Sequence, residues 1–549
     1  MRPICLTAWA ALVAVCGCSA AGSTSVAHAP AAPAVVVAPA GATEPEAAVE
    51  HAVEKPEPTL AAPEGAKTMV VTREQREGDE APAQPARIER PSGPRMASVG
   101  ELSMIYAQPR REGLALGYIR MGTSVALRSD KPVGQEGCAG GWYPVEPRGY
   151  ACREGSTTLN LDDPYFRALE SVAPRAHEVW PYRYAFSNGA PMYSRVPTEA
   201  EAAKAELTFG PRRSFVQLAK WSAGHEELIS DEPIVASDPV PEIFAGGRRH
   251  VGGGFRSTAS LLWRVIPNGS MLAYARAFEA GGRVWLVTPD LMLVPADRVR
   301  AFRRSTFHGV DLGHGVELPL AWNRAHEPRP RYRRDEGGGM VEVDRAFAPR
   351  AWAQVKAERV VVAGRTFLAL RGDEGLFVED VKLTVTSART KLPNTVAPGQ
   401  RWLDARIMAG TLTAYEGLTP VRATLFSPGK GGAPAEGFDP FVYSMTRTGI
   451  FPIEWKDRIA TMSPDKGAPT VLWFADVPHI QYLRAPLAMH ASYWHEDFGN
   501  LKSAECLNVS PTDAQWLFDW TEPTVPEGWG GARPGGGNGR PTPVVISAM

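Results

Sequence analysis

The composition is that of an ordinary globular protein. The chain has 549 residues, of which 44% are hydrophobic and 22% are charged, and it is long enough for two to four domains. The formal net charge is −1, and Lys and Arg form no stripe along the sequence. These values argue against a nucleic-acid-binding protein, so we expect no nucleic-acid partner.

The N-terminus has the pattern of a secretory signal. It reads MRPICLTAWAALVAVCGCSAAG, with a mostly apolar run at residues 4–15 that is too short to span a membrane. The tetrapeptide VCGC at residues 15–18 resembles a bacterial lipobox, which makes Cys18 the expected lipidated residue. Cleavage by an ordinary signal peptidase near Ala20 is the alternative.

The lipobox implies a location for the protein. Residues 1–18 form the signal and lipobox, and the lipid on Cys18 anchors the chain to a membrane. Ser19 follows the lipidated cysteine. A serine at this position, rather than an aspartate, resembles the signal for sorting to the outer membrane. We therefore expect a periplasm-facing lipoprotein in the outer membrane of a Gram-negative bacterium.

Residues 19–95 are dominated by Ala, Pro, Glu and Val and show no apolar periodicity. Frequent proline and scarce aromatic residues cannot support a core, so this segment is predicted to be a disordered tether.

Residues 96–155 contain short alternating apolar runs broken by Gly and Pro, which predict a small antiparallel barrel. The segments GYI at 117–119 and GWY at 141–143 resemble those of bacterial SH3-like domains, and a generic β-module is the alternative. Cys138 and Cys152 lie in this exported region, so we expect a disulfide, which would stabilise the fold by about 3 kcal/mol.

Residues 156–394 predict a mixed β region. Two segments, 283–299 and 365–381, each pair a β-rich run with a turn and a second run, and they predict hairpins of further SH3-like units. The region contains no phosphate-binding loop, no CxxC pair and no HExxH helix.

From residue 395 the apolar and polar residues alternate in short runs separated by glycine turns. Segments 401–432, 446–453 and 476–495 predict strands, and VVI at 544–546 predicts a last one. Ser510 begins the sequence SPTD, which has a hydroxyl N-cap, a first-turn proline and an acid three residues on. This pattern predicts a helix that buries three residues: Ala514, Leu517 and Phe518.

One segment combines a thiol with imidazoles: MHASYWHEDFGNLKSAECLNVSP, residues 489–511. It holds Cys506, the only cysteine after Cys152, with His490 and His495 upstream. An unpaired thiol in an oxidising compartment is a hazard unless it is buried or used, and a buried inert cysteine is the alternative to a functional one. A thiol and an imidazole near a tight turn are the parts of a nucleophilic acyl-transfer site.

At this point the chain resembles a known family, the YkuD-type L,D-transpeptidases of bacterial peptidoglycan. The resemblance spans roughly residues 395–546 and is carried by WLD at 402–404, LTAYEG at 412–417, TRTG at 446–449 and, most closely, CLNVSP at 506–511. It implies a mainly β chain, in which SH3-like barrels precede a β-sandwich catalytic domain at 395–549.

The resemblance also implies an activity that needs no cofactor. The cysteine of such enzymes attacks the amide carbonyl at the diaminopimelate centre of a peptidoglycan stem tetrapeptide and forms an acyl-enzyme. An amine acceptor then takes the acyl group. Carried over by position, Cys506 is the nucleophile and His490 the base, held by the carbonyl of Ala491.

The remaining site residues follow from the same comparison. Backbone N–H groups of Glu505 and Cys506 are expected to form the oxyanion hole, which supplies preset donors to the developing negative charge. Substrate contacts are expected from Tyr482, Ser503 and Asn508.

The chain departs from the family signature just before the thiol. Ser-His-Gly-Cys is replaced by Ser503-Ala504-Glu505-Cys506. Glycine permits a close backbone approach that Glu505 must either tolerate or alter. An inward-pointing Glu505 carboxylate would raise the pKa of the thiol by like-charge repulsion.

Three alternatives compete with the active enzyme. A catalytically inactive envelope lipoprotein that binds peptidoglycan would keep the fold and the degenerate motif. A papain-like peptidase places its cysteine before its histidine. This sequence has no histidine after His495, and so none after Cys506, which argues against that class. A metal site from His490, His495 and Glu496 lacks a recognised ligand spacing, so we expect no metal.

Overall fold

Strands make up most of the regular secondary structure, so the expectation of a mainly β chain is confirmed. Residues 92–549 form one compact unit. The predicted signal, Cys18 and the tether up to residue 91 lie outside the described residues. The computed structural model describes residues 92–209, 225–247, 260–372, 375–462 and 472–549. No helix in these ranges is both long and apolar enough to cross a membrane.

The N-terminal part of the described chain has seven strands: β1 (Arg95–Ser98), β2 (Leu102–Tyr106), β3 (Ala115–Arg120), β4 (Ser124–Ala126), β5 (Trp142–Pro144), β6 (Tyr150–Cys152) and β7 (Thr157–Thr158). Strands β4, β1 and β7 form one sheet, and β2, β3, β5 and β6 belong to a larger one. Cys138 and Cys152, the expected pair, form a disulfide that is buried beside Trp142.

The core of these seven strands is completed by residues from the far end of the chain. Ile105 and Tyr143 pack in one apolar cluster with Phe518 and Trp529. The indole Nε1 of Trp529 also donates a hydrogen bond to the carbonyl oxygen of Glu146, 2.8 Å away. The N-terminal strands therefore do not bury their core alone, and their SH3-like identity and the boundaries of residues 96–155 stay predictions.

The middle region contains two α-helices and sixteen strands within the described residues: α1 (Pro164–Glu170), β8 (Arg183–Ser187), β9 (Pro191–Tyr193), α2 (Glu199–Ala205), β10 (Leu262–Val265), β11 (Met271–Tyr274), β12 (Arg276–Ala280), β13 (Arg283–Val287), β14 (Leu293–Pro295), β15 (Val299–Ala301), β16 (Val310–Asp311), β17 (Leu320–Asn323), β18 (Arg329–Arg334), β19 (Met340–Phe347), β20 (Trp352–Val362), β21 (Arg365–Leu370), β22 (Leu376–Glu379) and β23 (Leu383–Thr386).

Both segments that were predicted to be hairpins form antiparallel pairs, β13 with β14 and β21 with β22. The two short helices were not predicted. Each begins at a side chain that accepts hydrogen bonds from the first turn, Asp163 for α1 and Thr198 for α2. Such caps are weak sequence signals when only seven helical residues follow them.

The C-terminal part has one helix and ten strands: β24 (Arg401–Arg406), β25 (Thr411–Glu416), β26 (Thr419–Leu425), β27 (Gly449–Pro452), β28 (Trp455–Met462), β29 (Phe474–Arg484), β30 (Leu487–Ala491), β31 (Leu507–Val509), α3 (Pro511–Trp520), β32 (Gly531–Ala532) and β33 (Pro543–Ser547). The strands predicted in this region and the helix after Ser510 are confirmed.

Two sheets enclose the C-terminal core. Strands β24, β25, β26, β27 and β33 lie in one sheet, and β28, β29, β30 and β31 lie in the other. Side chains of both sheets and of α3 form a single buried cluster, as a β-sandwich requires. Its members include Leu403, Leu412, Phe426, Met489, Leu507, Leu517 and Val544.

One twelve-stranded sheet joins the three parts of the described chain. Strand β3 from the N-terminal part pairs with β32, which pairs with β28. Strand β11 from the middle region pairs with β29. The sheet that carries the C-terminal site is therefore extended on both sides by strands from elsewhere in the chain.

Helix α3 begins at a buried carboxylate. The Ser510 hydroxyl accepts from the N–H of Asp513 at 3.1 Å, as the SPTD pattern predicts. The Asp513 carboxylate is fully buried and binds the guanidinium of Arg422, the N–H of Gly309 at 3.0 Å and the hydroxyl of Thr424 at 2.7 Å. The next turns bury Ala514, Leu517 and Phe518, as expected.

We expect Asp513→Ala to lower the free energy of unfolding by about 3–5 kcal/mol, because it removes the buried counter-charge of the buried Arg422 guanidinium and leaves only the exposed Asp311 as its partner. Thermal and urea unfolding of the full chain measure the loss. Asp519→Ala on the exposed face of the same helix is the control and should change stability by less than about 0.5 kcal/mol. Equal effects of the two variants would contradict the assignment.

Candidate active site

The candidate thiol and imidazole are placed by β30 and β31, which pair in parallel. The register sets Met489 beside Leu507 and His490 beside Asn508. Met489 and Leu507 point into the sandwich core. Because side chains alternate along a strand, His490 and Asn508 point to the opposite face. Cys506 directly precedes Leu507 and packs with the apolar cluster of this opposite face.

The His490 ring is oriented by a backbone carbonyl. Its Nδ1 lies 3.0 Å from the backbone oxygen of Ala491, which is the acceptor that the family resemblance implied. A carbonyl can only accept, so Nδ1 carries the hydrogen and Nε2 keeps its lone pair. Among the described residues nothing hydrogen-bonds to Nε2. Burial lowers the pKa of His490 to about 4, despite the bond to Ala491, which opposes the shift. The imidazole is therefore neutral at pH 7 and can accept a proton.

The Cys506 thiol is half-buried at the start of β31. Its Sγ lies 3.7 Å from the carbonyl oxygen of Pro486 and accepts a hydrogen bond from the N–H of Ala488. Burial raises the pKa of the thiol to about 11. No hydrogen bond in the described part of the chain joins Sγ to His490. The resting sulfur is thus a neutral thiol that is hydrogen-bonded to the carbonyl oxygen of Pro486 rather than to the imidazole.

Glu505 occupies the place of the expected glycine and binds Arg447. The guanidinium contacts both carboxylate oxygens, with Nη2 3.1 Å from Oε2. The Thr446 hydroxyl donates to the backbone oxygen of Glu505 at 2.7 Å. Glu505 is not one of the non-glycine residues with positive φ, so its backbone has no need of glycine here. Burial is the largest cause of the raised pKa of Cys506. The Glu505 carboxylate raises this pKa further, and Arg447 lowers it.

The turn before Cys506 is held by the side chain of Ser503, which lies within it, and by a neighbouring loop. The Ser503 hydroxyl donates to the backbone oxygen of Cys506 at 2.5 Å, so its hydrogen is already used. The N–H groups of Lys502 and Ser503 donate to Pro428 at 2.8 and 2.9 Å. Neither a loop carbonyl nor a side chain among the described residues accepts from the N–H of Glu505 or Cys506, and the oxyanion hole stays a prediction.

His495 has a structural environment. Its Nδ1 accepts from the N–H of Asp497 at 3.2 Å, and its Nε2 lies 3.2 Å from the side-chain amide of Asn508. The ring is fully buried, and this burial holds its pKa well below the usual range. With both nitrogens engaged, His495 is not free to act as a base. In the described part of the chain no group of three or more His, Cys, Asp or Glu residues is placed to hold a metal ion.

Tyr482 lies next to the thiol on β29. It pairs in register with Ala488, whose N–H bonds to the sulfur. Burial is the main cause of the raised pKa of the Tyr482 phenol, and the neighbouring Asp457 carboxyl and Cys506 thiol raise it further. Of the three expected substrate contacts, Tyr482 is half-buried beside Sγ, whereas Asn508 is buried against His495.

An aromatic wall, made largely by residues that the sequence did not single out, excludes water from this face. Trp494 lies with its ring centre 5.9 Å from that of His490. Tyr493 stacks at 3.8 Å on Tyr184 of the middle region, and Phe302 packs edge-on against it. The run YWH at 493–495 was the only local signal for this wall, because its other members come from distant strands.

The comparisons with known proteins find structures but no sequence relatives. No protein-family model matches the chain, and no curated protein matches it. The solved structures that match include L,D-transpeptidases from Xylanimonas cellulosilytica, Enterococcus faecium and Mycobacterium smegmatis, at 20, 16 and 17% identity and TM-scores of 0.20. They cover 29, 30 and 40% of this chain.

The matches are partial in both directions. The chain spans 65% of the Xylanimonas structure, 55% of the Enterococcus structure and 78% of the Mycobacterium structure. At such TM-scores the likeness carries no argument about function. The contacts around Cys506 and His490 are the basis for a functional proposal instead.

Proposed function

We propose that the chain is a cysteine-dependent acyltransferase of the L,D-transpeptidase type that acts on peptidoglycan stem peptides. One observation carries the proposal: Cys506 and His490 share one face of the β30–β31 pair, and the bond from Nδ1 to Ala491 leaves Nε2 free as a base. General-base activation of a nucleophile needs such a free imidazole nitrogen on the side of the thiol. The sequence resemblance supplies the substrate class.

The protonation states define how the first step proceeds. The pKa of the thiol, about 11, lies far above that of the imidazole, about 4. A stable thiolate–imidazolium pair therefore does not form at rest. The thiol hydrogen must turn from Pro486 towards His490, and Nε2 takes it as the sulfur attacks the amide carbonyl. His490 then returns the proton to the leaving amine.

Negative charge develops on the carbonyl oxygen during this attack. We propose that the N–H groups of Glu505 and Cys506 bind this oxygen, as the resemblance implies. Each donor of this kind contributes on the order of 3 kcal/mol to the transition state. An amine acceptor then attacks the thioester, the bond to Cys506 breaks, and the thiol is regenerated.

A second candidate is an inactive, peptidoglycan-binding envelope protein. It is favoured by the bond from the thiol to Pro486 and by the high pKa of Cys506. Both candidates are compatible with a lipid anchor at Cys18 and an outer-membrane location, which we propose from the sequence alone. Reactivity of the thiol separates them.

We expect the full chain to form a covalent adduct with a carbapenem, because a thiol beside a base opens the strained lactam as it would open the stem-peptide amide. Intact-mass spectrometry should show one added drug mass in the wild type and none in Cys506→Ala. An unmodified wild type after long exposure would favour the inactive candidate.

We expect His490→Ala to slow this acylation by a factor of about 10² or more, because loss of a general base removes that much. Stopped-flow or time-resolved mass spectrometry gives the rate. His177→Ala, which removes an exposed imidazole, is the matched control and should react like wild type. An unchanged rate in His490→Ala would remove His490 from the mechanism.

We expect Glu505→Gln to lower the pKa of Cys506, because it removes a nearby negative charge and leaves Arg447 without its partner. More thiolate is then present at pH 8, and iodoacetamide should alkylate the thiol about three- to tenfold faster. Arg447→Gln should slow alkylation. Glu379→Gln, which breaks the distant ion pair with Arg365, serves as control. The same pH profile in all variants would refute the charge effect.

A further inference from the structure

A row of residues crosses the sheet from the N-terminal strands to the thiol. In register, Tyr118 on β3 lies beside Gly531 on β32, and Gly531 lies beside Asp457 on β28. Two residues before Asp457, Trp455 pairs with Tyr482 on β29. Because register partners and alternate residues share a face, these side chains lie on one face of the sheet.

The row ends at the thiol. Tyr482 pairs with Ala488 on β30, and the N–H of Ala488 bonds to the Cys506 sulfur. Ala488, Tyr482 and Cys506 also pack in one apolar cluster. The face that carries Tyr118 and Asp457 is thus the same face that carries Cys506.

The Asp457 carboxyl is the centre of the row. It is buried and accepts a hydrogen bond from the Trp455 indole at 2.6 Å. Burial raises the pKa of this carboxyl to about 6, and the neighbouring side chains of Trp455, Tyr118 and Tyr482 oppose the shift. The ring of Tyr118 stacks over that of Trp455, with centres 6.3 Å apart and planes 8° from parallel. The Asp457 carboxyl therefore lies between the N-terminal strand β3 and the tyrosine beside the thiol.

The contact between Tyr118 and Asp457 depends on the absence of a side chain between them. A Cβ on Gly531 would lie 2.3 Å from Oδ1 of Asp457 and 2.7 Å from Cε1 of Tyr118. Neither approach is compatible with van der Waals contact, and both partners are packed. Glycine on β32 thereby keeps open the space through which the two side chains meet.

We propose that Asp457 and Tyr118 are positioning residues for the Cys506 site, and that they act by fixing the phenol of Tyr482 beside the sulfur. The N-terminal strand β3 is on this proposal part of the active site rather than an accessory module. The proposal rests on the proposed acyltransferase function and adds two residues to its machinery.

The test is a double-mutant cycle on the full chain, with carbapenem acylation as the readout. Tyr118→Phe removes one hydroxyl beside Asp457, and we expect it to lower the acylation rate about three- to tenfold, the usual effect of losing one polar contact. In a Tyr482→Phe background the same change should have no further effect, because the hydroxyl through which it acts has been removed. Asp457→Asn should reduce the rate at least as much as Tyr118→Phe.

Two controls separate positioning from general destabilisation. Tyr143→Phe alters a buried tyrosine of the same N-terminal core and should leave the rate unchanged. The thermal midpoint of Tyr118→Phe should match that of Tyr143→Phe. A rate loss that follows the loss of stability, or additive effects of Tyr118→Phe and Tyr482→Phe, would overturn the proposal.

A third readout keeps this proposal distinct from the proposed function. Alkylation of Cys506 by iodoacetamide requires no transpeptidase activity. If the wild type never reacts with a carbapenem, the acyltransferase function fails, and the cycle is then measured on alkylation. Coupling between Tyr118 and Tyr482 in that rate would retain the positioning role, and its absence would reject it.

Discussion

The parallel pairing of β30 with β31 is the constraint on which the candidate site depends. Met489, Leu507 and Val509 are buried in the sandwich core, and burial of each such side chain stabilises the fold by about 1.5–3 kcal/mol. A slip of β31 by one residue would turn Leu507 and Val509 to the opposite face and carry Cys506 inward. Core packing therefore fixes the register, and the relative placement of thiol and imidazole follows from it.

The same burial controls the acid–base state of the site. The aromatic wall and the neighbouring strands lower the pKa of His490 and raise that of Cys506, so both groups are uncharged at neutral pH. The thiolate is the form that oxidants and alkylating agents attack. A site of this kind keeps its sulfur unreactive at rest, and under the proposed function it depends on His490 during attack. The ion pair of Arg447 with Glu505 leaves little net charge to change that balance.

Sequence patterns predicted the elements of the site better than its contacts. The strands around residues 401–425 and 474–491 followed from alternation, and α3 followed from the cap at Ser510, because both are local signals. The partner of Glu505, the wall residue Tyr184 and the link from Tyr118 to Asp457 were not predicted. Each joins segments far apart in the chain, and no short-range pattern encodes which distant segments become neighbours.

The shared core of the N-terminal strands has a consequence for the order of folding. Strands β1–β7 leave the ribosome before the rest of the described strands, yet Phe518 and Trp529 complete their core. Trp529 also donates a hydrogen bond to Glu146 across 383 residues. Contacts of such high sequence separation form late. The first strands must therefore stay unfinished until nearly the whole chain is available. A chain that ends early leaves Ile105 and Tyr143 uncovered and open to proteases, so proteolysis selects for completely synthesised molecules.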